Sequence, residues 1–209
     1  MIRILLADDH LMFREGLKQI LGRCADFTIA AEAANGQEAL DCVRAGRFDV
    51  VVLDISMPVR SGFDVLGEIR NEQPGLPVLV LSMHPEDQYA VRVLKAGAAG
   101  YLTKESAADE LIAAIRKVAA GGRYVTSTLA EKLADALTSQ GGTDDHRQLS
   151  NREFQVLVML ANGRTLREIA DELLISEKTV TTYRARILEK LDLRNNAEIA
   201  KYAIENELL

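Results

Sequence analysis

Short apolar runs and amphipathic stretches alternate along residues 1–120. The apolar runs predict strands at 2–7, 28–32, 77–82 and 99–103, and a further strand that ends at Asp54. Stretches with apolar residues three and four positions apart predict helices at about 12–23, 35–46, 62–72, 86–96 and 106–119. The run before Asp54 is unbroken from Val50 to Leu53, which is typical of a strand buried on both faces. The alternation therefore predicts a doubly wound α/β domain, flavodoxin-like, with five parallel strands.

The pattern changes after residue 120. The pattern of residues 121–147 predicts a linker that contains one helix from Ser127 to Leu137. The ten residues that follow have no apolar side chain, which is typical of a flexible tether. Residues 148–209 are helical by pattern, with capping boxes at Ser150–Glu153 and Thr165–Glu168. Ser176 caps a third helix that runs to about Leu191, and a fourth helix covers 195–206. We predict a separate all-α domain of four helices that contains a helix-turn-helix.

Polar residues stand at the ends of four predicted strands: Asp8 and Asp9, Asp54, Ser82 and Lys104. The carboxyl ends of parallel strands share one edge of the sheet, so these side chains are expected to converge. Three crowded carboxylates need a cation, and Mg²⁺ with oxygen ligands fits them. A lysine and a hydroxyl beside them suit capture of a phosphoryl group on a carboxylate. Taken alone, Asp54 is explained equally well as a functional carboxylate or as a strand-end residue that caps the following loop.

Two histidines, His10 and His84, are expected near this edge, but neither has the partner spacing of a metal site. We interpret each as a loop or helix-start residue.

Composition narrows the class of protein. The net charge of −6 gives no general attraction to nucleic acid or to an anionic membrane, so any nucleic-acid site must be local. Cys24 and Cys42 have no C-x-x-C spacing and indicate reduced thiols of a cytosolic protein. The amino terminus turns acidic at Asp8, unlike a signal peptide, and no apolar run is long enough to span a membrane.

The predicted third helix of the second domain is locally basic. Residues 148–209 carry 9 basic and 10 acidic side chains, a net charge of −1, whereas residues 176–191 carry 4 and 2, a net charge of +2. Such a helix suits a phosphate-facing surface, although the same pattern is commoner on a solvated face.

Residues 1–120 resemble the receiver domain of a two-component response regulator. The resemblance lies in Asp8-Asp9, Leu53-Asp54-Ile-Ser-Met-Pro58 with Gly62, Ser82, and Tyr101-Leu-Thr-Lys104. It implies that Asp54 is the phosphoacceptor. It also implies that Asp9, Asp54 and the backbone carbonyl of Ser56 ligate Mg²⁺, with Asp8 acting mainly through water. Lys104 would contact the phosphoryl group, and Ser82 and Tyr101 would form the switch pair.

Residues 148–209 resemble the LuxR-type DNA-binding domain, through Leu149-Ser-x-Arg-Glu153, Gly163, Glu168-Ile-Ala170, Ser176-Glu-Lys-Thr-Val180 and Ile187-Leu-x-Lys-Leu191. Both halves together resemble the NarL/FixJ class. The resemblance places helix 176–191 in the DNA major groove, anchored by Val180, Ile187 and Leu191. Base edges would be faced by Lys178, Thr181, Thr182 and Ala185, and the DNA backbone by Thr165, Thr179, Tyr183 and Arg186. Many members carry Lys or Arg at the position of Thr181, so Thr-Thr would contribute methyl contacts and weak hydrogen bonds instead of a bidentate contact with guanine. The operator sequence of other members therefore does not transfer to this chain.

The resemblance implies a cytoplasmic transcription factor whose partners are a sensor histidine kinase, double-stranded DNA and RNA polymerase. A single domain buries about 600–1,000 Å² on DNA, so a homodimer is expected. Ile199, Tyr202, Ala203 and Leu208 are available for the symmetric contact, although some of them must hold this helix to its own domain. Beyond self-phosphorylation and slow autodephosphorylation, no enzymatic activity is expected.

Two alternatives remain open. The first is a DNA-binding protein whose receiver is controlled by partners instead of phosphate. The second is a hydrolase resembling haloacid dehalogenase phosphatases, but Ser56 stands where those enzymes have their second aspartate.

Overall fold

The chain forms two compact units, residues 1–133 and 134–209. The computed structural model describes residues 1–57, 59–83, 86–126, 129–131, 148–206 and 208. The predicted tether at 138–147 and most of the predicted helix 127–137 lie outside these residues, as do Pro58 and His84. The boundaries at residues 120 and 148 stay predictions.

The first unit contains a parallel sheet of five strands. They are β1 (Ile2–Ala7), β2 (Phe27–Ala33), β3 (Val50–Asp54), β4 (Val78–Ser82) and β5 (Gly100–Thr103). Their order in the sheet is β2-β1-β3-β4-β5, and every neighbouring pair is parallel. The order reverses between β1 and β3, the point where open α/β sheets place their ligands. The predicted five-stranded, flavodoxin-like fold is confirmed.

Helices connect the strands: α1 (Leu11–Leu21), α2 (Gly36–Ala45), α3 (Gly62–Glu72), α4 (Glu86–Lys95) and α5 (Ala108–Ala119). Local sequence sets their starts. The side chains of Asn35 and Ser61 accept hydrogen bonds from the backbone N–H groups of Glu38 and Asp64, the third residues of α2 and α3, and so satisfy donors that the first turn leaves open.

The central strands β3 and β4 are buried on both faces because they are apolar up to their last residue. One set of alternate residues, including Ile4, Leu6, Val52 and Leu81, packs with residues of α1 and α5. The other set, including Leu5, Val51 and Leu53, is equally inaccessible. Such burial fixes the strand ends, and therefore the functional groups on them, to a rigid scaffold.

The chain remains in contact with the sheet beyond α5. Tyr124 forms a parallel bridge to Gly100, and its N–H donates to the carbonyl of Ala99 at 2.8 Å. Its hydroxyl donates to Glu110 at 3.0 Å, and Leu129 is fully buried. The start of the predicted linker therefore packs as part of the first unit.

The second unit contains α6 (Asn151–Ala161), α7 (Leu166–Leu173), α8 (Glu177–Lys190) and α9 (Asn196–Glu205). Both predicted capping boxes are present, at Ser150–Glu153 and Thr165–Glu168. Leu174 closes the turn between α7 and α8 with a left-handed backbone (φ 51°), and Val180 and Ile187 anchor α8 inward. The all-α helix-turn-helix fold is confirmed.

The last helix packs on its own domain. Ile199, Ala203 and Leu208, three of the four residues expected at a symmetric contact, are buried here because α9 lies against α6. Of the two roles expected for the four residues, these three therefore fill the one within their own domain and do not form a symmetric contact. Tyr202 is half-buried, and Ile204, at 66% exposure, is the large apolar residue of α9 that faces solvent.

Candidate functional site

The expected acidic pocket forms where β1 and β3 end side by side. Ala7 of β1 pairs with Leu53 of β3. Asp8, which follows β1, and Asp54, which ends β3, therefore lie at the same level of the sheet edge. Asp8 is 3% exposed and Asp54 is 1% exposed, whereas the Asp9 side chain retains 29% of its accessible surface. Two buried carboxylates and one that reaches solvent therefore share this edge.

Lys104 joins the two buried carboxylates. Its Nζ lies 2.7 Å from Asp8 Oδ2 and 2.8 Å from Asp54 Oδ2, with the lysine side chain 3% exposed. Its backbone N–H donates to the carbonyl of Ser82 at 2.8 Å, which ties the loop after β5 to the end of β4. Burial alone would lower the pKa of Lys104, but the charges and hydrogen bonds of Asp54 and Asp8 outweigh it, and the pKa is raised. The lysine is a fixed positive charge at this edge.

The second oxygen of Asp54 is held by the loop that follows it. The N–H of Ser56 donates to Asp54 Oδ1 at 3.0 Å. The loop stays close because Gly62 opens α3 directly against the strand end, where an added Cβ would meet the Asp54 carbonyl oxygen at 2.2 Å. Both carboxylate oxygens of Asp54 are thus oriented before any ligand arrives.

The site contains ligands for a metal ion. One ligand atom each from Asp8, Asp9, His10 and Asp54 lies within 4.8 Å of the others. Carboxylate oxygens are the donors that Mg²⁺ prefers, and the partly exposed Asp9 leaves room for retained waters. These residues therefore fit a hard divalent ion. The contribution of the Ser56 carbonyl stays a prediction.

His10 lies near the pocket, as expected, and its ring contacts the acidic residues directly. The backbone N–H of His10 donates to Asp8 Oδ1 at 2.8 Å, and its ring Nδ1 lies 2.9 Å from Asp9 Oδ1. It occupies the cap position of α1, as a helix-start residue, yet its ring faces the acidic cluster. Its immediate succession to Asp8 and Asp9 was the available signal.

Ser82 and Tyr101 are both fully buried. Ser82 is the last residue of β4, and Tyr101 lies on the adjacent β5, where it pairs in register with Val80. The structure brings both residues to the strands around the pocket, with the tyrosine ring inside the fold. Their role as a switch pair stays a prediction.

The DNA-contact candidates of the second unit gather on α8 and the cap of α7. Lys178, Thr181, Thr182, Ala185 and Arg186 are exposed, Thr179 and Tyr183 are half-buried, and Thr165 is the exposed cap of α7. A surface groove of about 310 Å³ runs beside α8, and it is lined by Ser176, Lys178, Thr179, Thr182, Tyr183 and Arg186. Ser176, which the sequence predicts only as a helix cap, also lines this groove.

Two family models match the chain. Residues 4–116 match "Response regulator receiver domain", and residues 147–203 match "Bacterial regulatory proteins, luxR family". The chain is a NarL/FixJ-class response regulator. As a member of this class, it combines a receiver domain with a LuxR-type DNA-binding domain and belongs to the two-component transcription regulators.

Similar proteins support this assignment over the whole length. Response regulator UvrY of Escherichia coli K12 is 35% identical, covering 100% of this chain and 96% of its own. Response regulator GacA of Pseudomonas aeruginosa PAO1 is also 35% identical, covering 100% and 98%. The structure of RcsB from Salmonella enterica serovar Typhimurium, bound to promoter rprA with phosphomimetic BeF3⁻, matches with a TM-score of 0.65. Its 24% identity over 96% of this chain and 97% of that one shows the shared fold.

Within the described residues, no helix of this response regulator has the length and apolar character needed to cross a bilayer.

Proposed function

We propose that Asp54 accepts a phosphoryl group from a sensor histidine kinase and that this switches DNA binding by the second domain. The observation that carries the proposal is the Lys104 bridge, which holds a cation 2.8 Å from Asp54 Oδ2 inside the acidic pocket. A buried ammonium shared by two carboxylates can move onto a phosphoryl oxygen without any rearrangement of the sheet.

In the transfer, an Asp54 carboxylate oxygen forms a bond to phosphorus. The bond from phosphorus to the kinase histidine nitrogen breaks, and the imidazole keeps the electron pair. Lys104 and the Ser56 N–H, already placed at Asp54, would hold the acceptor carboxylate in position.

We assign Mg²⁺ to Asp9 and Asp54, with the Ser56 carbonyl as a third ligand and Asp8 acting through water. When bound, the ion would supply positive charge for the oxygens of the transferred group. The side chains fit this role because three carboxylates and one lysine leave a net negative pocket that a divalent cation would neutralise.

The switch would pass through Ser82 and Tyr101. The Ser82 carbonyl already accepts a hydrogen bond from Lys104 N–H, so a shift of that lysine is coupled to the end of β4. The Ser82 hydroxyl would donate to a phosphoryl oxygen, and the buried Tyr101 ring would follow it.

The output would be binding to double-stranded DNA by a homodimer in the cytoplasm, followed by recruitment or blocking of RNA polymerase. The groove beside α8 combines two cations, Lys178 and Arg186, with hydroxyl groups, as a DNA-backbone contact requires. The similar fold of RcsB, which was solved bound to promoter rprA, supports the proposal of DNA binding.

We propose that the chain is not an enzyme beyond its own phosphorylation and slow dephosphorylation. At the position of the second aspartate of haloacid dehalogenase phosphatases, Ser56 offers its N–H to Asp54 and has no carboxylate to activate water. The acyl phosphate would persist as a signal.

One experiment separates this proposal from its alternatives. The full chain is incubated with beryllofluoride or acetyl phosphate and Mg²⁺, and its binding to a selected duplex and its oligomeric state are measured. We expect tighter binding and dimerisation, both absent in Asp54→Ala. An equal response in that variant would favour control by partners, and steady phosphate release at enzyme-like rates would favour the hydrolase.

A further inference from the structure

The exposed surface of α8 has two stripes of different chemistry. The groove side carries Lys178, Thr182 and Arg186, spaced four residues apart. The neighbouring stripe carries Thr181 and Ala185, which are exposed but do not line the groove. Thr182 lies at the border between the two stripes. Of the four residues expected at base edges, Lys178 is charged, whereas Thr181, Thr182 and Ala185 have short, uncharged side chains.

Both threonine hydroxyls are engaged with the helix backbone. Thr181 Oγ1 donates to the carbonyl of Glu177 at 2.9 Å, and Thr182 Oγ1 donates to the carbonyl of Lys178 at 3.0 Å. A hydroxyl has one proton, so each of these oxygens can only accept a hydrogen bond from an outside partner. What remains for an outside partner is an acceptor and a methyl group on each threonine, and a methyl group on Ala185.

This chemistry selects among base pairs. In the major groove, guanine presents two acceptors, which Thr181, Thr182 and Ala185 cannot engage because none of these side chains has a free donor. An A·T pair presents the adenine amine, which can donate to a threonine oxygen, and the thymine methyl group, which can pack on the methyl groups. Building on the proposed DNA binding, we propose that Thr181, Thr182 and Ala185 read A·T base pairs, chiefly through thymine methyl groups.

The test begins with selection of duplexes from a random pool by the full chain in the presence of beryllofluoride and Mg²⁺. Binding to the selected duplex is then compared with binding to duplexes in which single thymines are replaced by deoxyuridine, which lacks only the methyl group. Fluorescence anisotropy gives the dissociation constants. A thymine replaced outside the protected half-sites is the matched control on the DNA side.

We expect A·T pairs at the centre of each half-site and a loss of about fourfold in affinity for each contacted thymine replaced, as burial of one methyl group predicts. The double variant Thr181→Val with Thr182→Val keeps the methyl groups and should keep this sensitivity. The double variant Thr181→Ser with Thr182→Ser keeps the hydroxyls and should lose it.

Three results would overturn the inference. Selected half-sites with guanine opposite these residues would contradict it, as would equal affinity for thymine and deoxyuridine duplexes. In both cases the proposed DNA binding would stand. Failure to bind any duplex would instead contradict the proposed function, and the inference with it.

Discussion

Two lysines of this protein show how differently its two domains use positive charge. Lys104 is 3% exposed and lies within 2.8 Å of two carboxylates, on a loop tied to the central sheet. Lys178 is exposed on α8, at the edge of an open groove. The receiver buries its charges and orients them in advance, whereas the DNA-binding domain presents its charges to solvent on one face of a helix.

The difference follows from what each domain has to recognise. A phosphoryl group is small, so discrimination requires charges fixed at short distances in a site shielded from water. A DNA backbone is long and its negative charge is repeated, so separate exposed cations suffice to bind it. Removing Lys104 should therefore alter stability and chemistry in the receiver, whereas removing an exposed cation of α8 should alter only the affinity for DNA.

The largest expected effect is that of Asp54→Ala. We expect labelling by acetyl phosphate, and the gain in DNA affinity that it causes, to fall to background because the acceptor oxygen is gone. Labelling is followed by phosphate-affinity electrophoresis. Asp41→Asn, which changes an exposed aspartate of α2, is the control and should label normally. Labelling of the Asp54 variant at another carboxylate would refute the assignment.

Lys104→Met should lower the free energy of unfolding of the receiver by about 3–5 kcal/mol, because Asp8 and Asp54 are left buried without their cation. Mg²⁺ should restore part of this loss. Amide hydrogen exchange of β1 and β3 in the full chain, measured with and without Mg²⁺, gives the loss of unfolding free energy and the part that Mg²⁺ restores. A loss below about 1 kcal/mol would show that the ion pair does not compensate the buried carboxylates.

Glu153→Gln tests the one buried charge that we single out in the second domain. Burial alone would raise the pKa of Glu153, but hydrogen bonds from Lys190 and Ser150 outweigh it and hold the pKa below 4.5. We expect the substitution to cost about 1–3 kcal/mol at neutral pH.

The pH dependence of that cost follows from the lowered pKa. The stabilisation is complete above pH 4.5 and is lost as the pH falls from 4.5 through the lowered value, so wild type and variant should converge there. Thermal unfolding by circular dichroism measures it, with the exposed Glu172→Gln as control. A difference that persists unchanged in acid would exclude ionisation as its cause.

Arg186→Ala should have the smallest effect on stability, within about 0.5 kcal/mol, because the side chain is exposed. The affinity of the variant for DNA should nevertheless fall. The slope of the logarithm of its association constant against the logarithm of the salt concentration should become shallower by about 1. Salt titrations by fluorescence anisotropy test this, with the exposed Arg194→Ala as control. An unchanged slope would remove Arg186 from the DNA-facing surface.

The fold could be predicted because its signals are local. The unbroken apolar run from Val50 to Leu53 requires burial on both faces, and strand–helix alternation then leaves few topologies. The capping boxes at Ser150 and Thr165 lie within four residues of chain and formed as predicted. The convergence of Asp8, Asp54 and Lys104 followed from the rule that parallel strands end at one edge.

Contacts between distant residues decided the remainder. Sequence pattern could not show that His10 faces Asp9, since a ring orientation depends on the surrounding side chains. Nor could it tell which apolar residues of α9 are interior: packing against α6 assigned Ile199 and Ala203 to the domain core, and Leu208, beyond the helix, is buried as well.

The residue order by itself determined the elements, their order and the edge at which the acidic residues meet, because hydrophobic periodicity and chain connectivity act along the sequence. Only the tertiary structure decided that one buried ammonium serves both Asp8 and Asp54. Likewise, it decided that the hydroxyls of Thr181 and Thr182 point into their own helix. Side-chain direction is set by neighbours in space, and these are known only once the chain is packed.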